Sequence, residues 1–399
     1  MHVPGWHETT KTLQEQGRLR MVGIVEEQHP ERARLFMQWK RMSWPILTDP
    51  LDLLGVSAVP VTVAIDEHGI VRAIDPRPER IQEEFLEKRY DAPLPEDGGA
   101  TARPDLERLR QAAAAVGRVA DWRSYGDALV LWGAGERLDE AIGAYERAME
   151  KDPGDAPVRF RLGVVLRARY DSQSRRVNDF QGAVEAWEQA LDLDPNNYIW
   201  RRRIQQYGPR LEKPYPFYDW VETARREIQA RGETPAPLTV EPGGAELAPP
   251  ANTLESPAVP AKEPDPRGRI HRDPGSFVNV QATVVPATLR PGAAARVHLE
   301  FRPNVEKKTH WNNEVADLMV WVAPPAGWQI DQPSLSIPRP PQPITEETRR
   351  VEFEARIPGD AKPGVTRLPA YALYYVCEDV RGACLYRRQD LDIPLHVRH

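Results

Sequence analysis

Hydrophobic positions near the N-terminus change from a continuous run to a helical spacing. Residues 19–25 form a largely apolar run, which predicts a buried strand. Between residues 30 and 42, Ala33, Phe36 and Met37 recur at roughly helical spacing, which predicts a helix. The change of period therefore predicts a strand followed by a helix.

A second apolar segment, residues 59–71, predicts a β-hairpin. Two runs rich in β-branched residues flank the sequence Asp66-Glu67-His68-Gly69. An Asp-x-x-Gly sequence between such runs is typical of a tight turn that joins antiparallel strands.

This part of the chain resembles a known family. Gly55-Val56, Val59-Pro60-Val61-Thr62 and Ile65-Asp66-Glu67-His68-Gly69 resemble the second half of thioredoxin-like proteins of the redoxin and TlpA type. The resemblance implies an α/β thioredoxin-like domain over residues 1–95. It also implies that Pro60 is cis and lies against the active-site cysteines. The backbone beside it pairs with a bound substrate strand in that family, so Val59 and Pro60 are candidate substrate-binding residues.

The family's own cysteine motif is not found in residues 1–95. Its helix is kinked by a proline shortly after a Cys-x-x-Cys pair, and Pro4 matches that proline, so the motif would fall upstream of Met1. Three explanations stay open: a start placed too far downstream, a true loss of the redox half, and a wrong alignment. With Met1 as the start, the domain lacks a thiolate and is expected to act as a binding module. His2 and His7 lack further ligands and predict no metal site.

An internal repeat marks the middle of the chain. Four positions recur with an offset of 42 residues: Ala141 and Ala183, Tyr145 and Trp187, Ala148 and Ala190, Pro153 and Pro195. This spacing resembles the second helix of a tetratricopeptide repeat, whose period is about 34 residues. A polar insertion at residues 170–177 accounts for the longer offset. Two repeats are predicted, at residues 125–155 and 156–195.

Further helices are predicted on both sides of the repeats, giving an all-α region at residues 104–232. Residues 198–207 are expected to cap the stack and residues 219–231 to add a helix to it. Arg201-Arg202-Arg203 is interpreted as the solvated side of the capping helix. The groove of such a stack is expected to bind a peptide or partner protein, and a spacer between domains remains the alternative.

The C-terminal third follows a different pattern. Residues 233–268 contain nine prolines without sustained periodicity, which predicts a semi-extended tether. Alternation of apolar and polar positions at residues 297–301, 351–357 and 391–397 predicts strands. Residues 269–399 are therefore expected to form an antiparallel β-sandwich.

The two cysteines of the chain, Cys377 and Cys384, lie in this predicted sandwich. Aromatic and β-branched neighbours, with Gly382 between the cysteines, allow them to face each other across antiparallel strands at disulfide distance. Residues 374–386 resemble the end of the N-terminal periplasmic domain of the bacterial disulfide reductase DsbD, an immunoglobulin-like module. The resemblance implies that the pair alternates between dithiol and disulfide. It also implies that the pair passes electrons from a membrane or thioredoxin-like partner to disulfide-exchange proteins.

Chemistry of the cysteines themselves leaves two interpretations open. Glu378 and Asp379 would raise the thiol pKa values and Arg381 would lower them, so the sequence predicts no net reactivity. The pair is either redox-active or a staple of a β-hairpin. Residues 310–314, His-Trp-Asn-Asn-Glu, are interpreted as a loop that either shields the pair or connects strands.

Composition excludes several classes of function. A net charge of −6 and a pI near 5.9 argue against nucleic-acid binding, and no apolar run approaches the length of a membrane span. No cofactor or metal is implied. We expect a thiol-disulfide exchange protein of bacterial type with Cys377 and Cys384 as catalytic residues. A non-catalytic interaction scaffold is the alternative. A disulfide suits an extracytoplasmic compartment, whereas Met1 as the true start would make the chain cytoplasmic.

Overall fold

The computed structural model describes residues 2–56, 59–91, 103–210, 220–242, 261–274, 277–378 and 382–398. Helices and strands are both abundant, which confirms the expected mixed α and β content. The chain divides into two compact units. The first comprises Met1–Ser174, Gln189–Arg203 and Phe217–Pro242, and the second Arg175–Glu188, Ile204–Pro216 and Gly243–His399.

The first unit begins with an α/β region. Its elements are α1 (His2–Glu15), β1 (Gly23–Val25), α2 (Glu31–Lys40), β2 (Ile46–Thr48), β3 (Val63–Ile65) and β4 (Val71–Ile74), followed by helical turns at Pro78–Arg80 and Gln82–Leu86. Strands β1 and β2 pair in parallel, and β3 and β4 pair antiparallel. Trp6, Trp44 and Phe85 are among the residues that form the core of this region.

The predicted strand-helix unit and hairpin are confirmed, with differences in detail. In the hairpin turn, Gly69 has a φ of 80° and donates its N–H to the carbonyl of Asp66 at 3.0 Å. The expectation of a buried strand at residues 19–25 is wrong, because β1 is only three residues long and Ile24 is 46% exposed. In the same region, His7 is buried and packs edge-on against Trp44, with the ring centroids 5.6 Å apart.

Seven helices follow in the described part of the chain. They are α3 (Leu106–Val116), α4 (Val119–Trp132), α5 (Leu138–Lys151), α6 (Ala156–Asp171), α7 (Asp179–Leu193), α8 (Tyr198–Gln205) and α9 (Trp220–Ala230). Helices α3 to α6 pack consecutively, each on the next. Ala141, Tyr145 and Ala148 are fully buried in α5. A Cβ at Gly126 of α4 would stand 2.6 Å from the Tyr145 ring, so glycine permits this close approach.

The helix predicted at residues 219–231 is confirmed as α9, but it packs against α2 and not against the preceding helices. Its apolar side packs against α2 in a cluster formed by Leu35, Val221, Ala224 and Ile228. Trp39 and Trp220 stack with ring centroids 5.9 Å apart and an interplanar angle of 7°. Helical periodicity identifies an apolar side but does not specify the surface that covers it.

Helix α7 contributes residues to both units. Residues Asp179 to Glu188 belong to the second unit and the remainder to the first. Within the second unit, Phe180 and Trp187 contact Tyr207 at ring-centroid distances of 5.1 and 5.7 Å. The repeat positions Ala183, Trp187 and Ala190 are all fully buried.

Both described ends of the predicted tether are packed, which contradicts a free tether at those ends. In residues 233–242, the N–H of Ala236 donates to a side-chain oxygen of α2 at 2.9 Å. In residues 261–268, Asp265 is 5% exposed and accepts a hydrogen bond from an arginine of the last strand at 3.0 Å. The remaining tether, residues 243–260, lies outside the described residues.

The second unit contains two sheets. The strands are β5 (Val278–Val285), β6 (Thr288–Leu289), β7 (Ala294–Pro303), β8 (Thr309–Asn312), β9 (Leu318–Val322), β10 (Gln329–Ile330), β11 (Ser334–Ile337), β12 (Ile344–Thr345), β13 (Arg349–Arg356), β14 (Gly364–Glu378) and β15 (Cys384–Val397). One sheet has the order β10-β13-β7-β5, and the other has β11-β9-β14-β15-β6, with β8 also beside β14 and β12 beside β8. All pairs are antiparallel except β15 with β6.

The two sheets share one hydrophobic core. Phe301 and Phe353 contribute from the first sheet, and Trp311, Tyr374 and Leu395 from the second. The strands predicted at residues 297–301, 351–357 and 391–397 lie within or overlap β7, β13 and β15. Within the described residues, no helix has the length and apolar character needed to cross a bilayer.

Candidate functional site

Cys377 and Cys384 form a disulfide between β14 and β15. They are directly paired in the antiparallel register, with Cα atoms 4.0 Å apart. On the next rung, Glu378 donates its N–H to the carbonyl of Ala383 at 3.1 Å. Hydrogen-bonded and non-hydrogen-bonded rungs alternate, so the cysteines occupy the narrow, non-hydrogen-bonded type, where side chains approach most closely.

The turn that joins the two strands depends on a glycine. A Cβ at Gly382 would collide with the backbone carbonyl of Glu378. Because this carbonyl belongs to the strand itself, only the absence of a side chain permits the chain to return so closely. The acidic and basic neighbours named from the sequence, Asp379 and Arg381, lie outside the described residues.

The two cysteines differ in exposure. Cys377 is 3% exposed, whereas Cys384 is exposed. An incoming thiolate must approach a sulfur from solvent, and exchange rates depend on which sulfur it reaches. Cys384 is therefore the more accessible cysteine of the pair.

Two tyrosines lie next to the disulfide on the same face of the sheet. Side chains alternate between faces along a strand, so Tyr375 and Tyr386 share the face of the cysteines. Their rings stack with centroids 4.3 Å apart. Burial raises the pKa of Tyr386, and the nearby Tyr375 and Asp265 raise it further. The pair forms an aromatic surface beside the disulfide.

The predicted loop at residues 310–314 is in fact largely strand β8. His310 is in register with Cys377, and Trp311 with Val376. Trp311 and Val376 belong to the core, so His310 and Cys377 lie on the opposite face of the sheet. His310 is 4% exposed, and its imidazole has no hydrogen-bond partner among the described residues.

The second pair of candidate residues, Val59 and Pro60, lies in the first unit. The peptide bond between them is cis, as the family resemblance implies. Val59 is 52% exposed and Pro60 is also exposed. These two residues follow positions 57–58, which lie outside the described residues.

A polar cleft of about 750 Å³ opens in the first unit between α4, α6, α8 and the loop after β2. Its charged lining residues are Asp52, Asp127, Asp155, Asp194, Arg123 and Arg161. Arg161 pairs with Asp127 at 2.7 Å, and Arg123 pairs with Asp155 at 3.2 Å. The indole N–H of Trp200 donates to Asp52 at 2.9 Å.

Buried carboxyl groups lie next to this cleft at the carboxyl ends of β1 and β2. Burial raises the pKa of Glu26 to about 8, with further contributions from Asp49 and Asp52 and an opposing one from Arg203. Both carboxyl oxygens of Glu26 are buried without a hydrogen-bond partner in the part of the chain that the structure describes. Burial likewise raises the pKa of Asp52. No described group of three or more His, Cys, Asp or Glu side chains is arranged to hold a metal ion.

Arg203 corrects the interpretation of the basic cluster. It is 2% exposed and donates to the Gln28 side chain at 2.7 Å and to the backbone carbonyls of Glu26 and Pro50 at 3.3 Å. The predicted solvated face therefore does not include its third arginine. A buried guanidinium needs several acceptors, and the ends of two strands supply them.

Sequence reasoning found the cysteines and missed the groups around them. The cleft joins Asp52 to Trp200, which are separated by 148 positions. No motif marks either residue. His310 became relevant only through the register of β8 with β14.

No family model matches the chain, and no curated protein does. Among solved structures, a protein of unknown function from Porphyromonas gingivalis W83 is similar over 30% of this chain and 47% of its own, with 15% identity and a TM-score of 0.19. The sporulation control protein Spo0M from Bacillus subtilis is similar over 31% of this chain and 50% of its own, with 13% identity and a TM-score of 0.16. The chain spans about half the length of both proteins. AvmM, which catalyses macrocyclization in alchivemycin A biosynthesis, is similar over 33% of this chain and 95% of its own, with 9% identity and a TM-score of 0.18.

Proposed function

We propose that this protein carries out thiol-disulfide exchange with a dithiol or disulfide protein, through Cys377 and Cys384. The observation that carries the proposal is the asymmetry of the pair. One cysteine is exposed and the other is buried, on adjacent strands at a narrow, non-hydrogen-bonded position. That arrangement suits a pair that opens from one side and closes again without moving its backbone.

The exchange follows from the exposure of each sulfur. A thiolate of the partner attacks Sγ of Cys384, the disulfide breaks, and Cys377 leaves as a thiolate. A second thiolate of the partner then attacks the partner's sulfur in the mixed disulfide. This step forms the partner's disulfide and releases Cys384 as a thiolate. Two electrons pass from the partner to this chain, and the reverse sequence reduces a partner disulfide.

Reduction need not unfold the strands that hold the pair. The disulfide closes a loop of eight residues, for which the chain-entropy model gives a stabilisation of about 2.5 kcal/mol. The core shared by the two sheets includes neither cysteine. We therefore expect the dithiol form to stay folded, which a redox couple requires.

We also infer that the chain contains a thioredoxin-like domain, a tetratricopeptide repeat region and an immunoglobulin-like module. The cis bond at Pro60 agrees with a thioredoxin-like domain. The buried small and aromatic positions of α5, with Pro153 just after its end, agree with a tetratricopeptide repeat. Two antiparallel sheets over one core agree with an immunoglobulin-like module. A thioredoxin-like protein is accordingly the proposed electron donor.

Equilibration of the whole chain against glutathione buffers tests the exchange role. The fractions of disulfide and dithiol, measured by alkylation and mass spectrometry, give the reduction potential of the pair. A potential above about −300 mV supports exchange. A lower value assigns the disulfide to a structural role and refutes the proposal. The double variant C377S/C384S is the control for non-specific alkylation.

The cleft of the first unit favours a second candidate function, the binding of a basic peptide. Four carboxylates and two arginines line it, so its charge is net negative. Its volume lies in the range of ligand sites, about 300–1,000 Å³. This is the peptide-binding role expected of the helical groove, and it is compatible with a non-catalytic scaffold.

Calorimetric titration with a lysine-rich peptide tests this binding. We expect binding that weakens with added salt and in the variant Asp194→Asn, because each removes attraction within the cleft. Glu150→Gln, at an exposed position of α5, is the matched control and should bind as the natural chain does. Equal binding by a glutamate-rich peptide would contradict the assignment.

A further inference from the structure

The face of the sheet that carries the disulfide also carries a buried histidine that the exchange steps leave unused. His310 on β8 is in register with Cys377 on β14, and Cys377 is in register with Cys384 on β15. Three neighbouring strands therefore place His310, Cys377 and Cys384 in one row. Directly opposed residues in antiparallel strands have Cβ atoms about 4.5–5.5 Å apart, so their side chains are neighbours.

We propose that His310 is the acid-base partner of Cys377: it stabilises the Cys377 thiolate that leaves when the disulfide opens. The proposal rests on the exchange function proposed above. Cys377 is the sulfur that solvent cannot stabilise, since it is 3% exposed. A buried thiolate is costly unless a cation or hydrogen-bond donor lies beside it.

The row of three residues supplies such a donor on one side only. On the other side of Cys377 lies Cys384, which is bonded to the partner in the mixed disulfide. His310 is 4% exposed, and its ring has no competing hydrogen bond among the described residues. Its imidazole can therefore donate to the thiolate and, when protonated, supply the balancing charge.

Other titratable groups near β8 are few on this face. On β14 and β15 this face carries Tyr375 and Tyr386 next to the cysteines. Further along β15 it carries Arg388, which pairs with Asp390 at 2.7 Å and with Asp265 at 3.0 Å. Glu378 opposes Thr309 and so lies on the other face. Strand β12 carries the uncharged Ile344 and Thr345, and the residue after it, the exposed Glu346, is next in register to His310. Strand β7 belongs to the other sheet, on the side of Trp311. The turn before β8 carries three exposed charged residues: Glu306, Lys307 and Lys308.

The step balances in atoms and charge. The partner's thiolate brings one negative charge and forms a bond to Sγ of Cys384. The electron pair of the broken bond goes to Sγ of Cys377. A protonated His310 then faces this thiolate as an ion pair, or transfers its proton to give a neutral thiol and a neutral imidazole. In the reverse direction His310 accepts the proton of Cys377 as the disulfide forms.

Residue-specific NMR titration of the full chain, with labelled cysteine and histidine, tests the proposal in both redox states. In the dithiol state we expect the pKa of Cys377 to lie below the ordinary thiol value of about 8.5. We also expect His310 to titrate at higher pH in the dithiol than in the disulfide state. A His310 titration that is identical in both states, or a Cys377 pKa at or above the ordinary value, overturns the proposal.

The variant His310→Gln keeps a hydrogen-bond donor but loses the charge. It should raise the pKa of Cys377 by about one unit, which lowers the thiolate fraction near neutral pH about tenfold. His396→Gln, an exposed histidine of β15 opposite Val365, is the matched control and should change neither titration. If His310→Gln does not fold, the comparison of redox states in the natural chain still decides the matter.

Failure of this inference is distinguishable from failure of the proposed function. A reduction potential in the range of structural disulfides refutes exchange whatever His310 does. A potential above that range, together with a Cys377 titration that does not respond to His310, leaves exchange intact and refutes only the role of the histidine.

Discussion

Replacing Glu26 by glutamine should stabilise the protein, and the gain should grow with pH. Glu26 is half-buried at the end of β1, and its pKa is raised from 4.5 to about 8, first by burial and then by Asp49 and Asp52. The folded state therefore holds a proton that the unfolded chain releases. The favourable contribution of this group is complete below about pH 4.5 and is lost as pH rises to about 8.

The size of the effect follows from the shift. One pKa unit corresponds to about 1.4 kcal/mol, so the full shift would amount to about 5 kcal/mol without screening. Because Glu26 is only half-buried, solvent screening reduces this value, and we expect a gain of about 2 kcal/mol for Glu26→Gln above pH 8. Near pH 5 the variant and the natural chain should differ by only a few tenths of this.

Urea unfolding at several pH values, followed by far-ultraviolet circular dichroism, measures the difference. Glu15→Gln, at the exposed end of α1, is the control and should give a difference that does not change with pH. A Glu26→Gln gain that stays constant or shrinks as pH rises would show that the raised pKa is not the cause. A Glu26→Gln variant that is less stable than the natural chain above pH 8 would refute the reasoning altogether.

Three substitutions probe packing and hydrogen bonding. Gly382→Ala should lower the stability of the disulfide hairpin by about 1–3 kcal/mol, measured by thermal unfolding, because its Cβ would collide with the Glu378 carbonyl; an unchanged midpoint would contradict this. Trp200→Phe should lower the free energy of unfolding in urea by about 1–3 kcal/mol, since Asp52 loses its indole donor. An unchanged free energy would show that this hydrogen bond does not contribute to stability. Ala224→Leu should cost about 1–3 kcal/mol in urea unfolding by overpacking the contact of α9 with α2, and a gain would mean that the contact is loose.

Much of the local structure could be predicted because it depends on residues close in sequence. The period of apolar positions identified α2 and the strands that contribute to the core shared by the two sheets. The Asp66-x-x-Gly69 turn identified the hairpin, because glycine is the residue that adopts its positive φ without cost. The spacing of Cys377 and Cys384 was enough to place them opposite each other on adjacent strands.

What could not be predicted depends on contacts between distant residues. Nothing in the periodicity of α9 indicates that it covers α2, since an apolar stripe fits many surfaces. The sequence predicts Arg203 in solvent, because its acceptors lie at the ends of β1 and β2, more than 150 positions away. The sequence predicts a loop at His310, because the strand pairing that places it beside Cys377 involves a residue 67 positions away.

The contact between α2 and α9 has a consequence for the order of events during synthesis. The indole N–H of Trp39 donates to Glu227 at 2.6 Å, and the two residues are 188 positions apart. Ribosomes add about 5–20 residues per second, so α2 emerges roughly ten to forty seconds before the helix that covers it. During that interval Leu35 and Trp39 present an apolar strip to the solvent. An N-terminal fragment cut at the predicted domain boundary would keep that strip uncovered permanently.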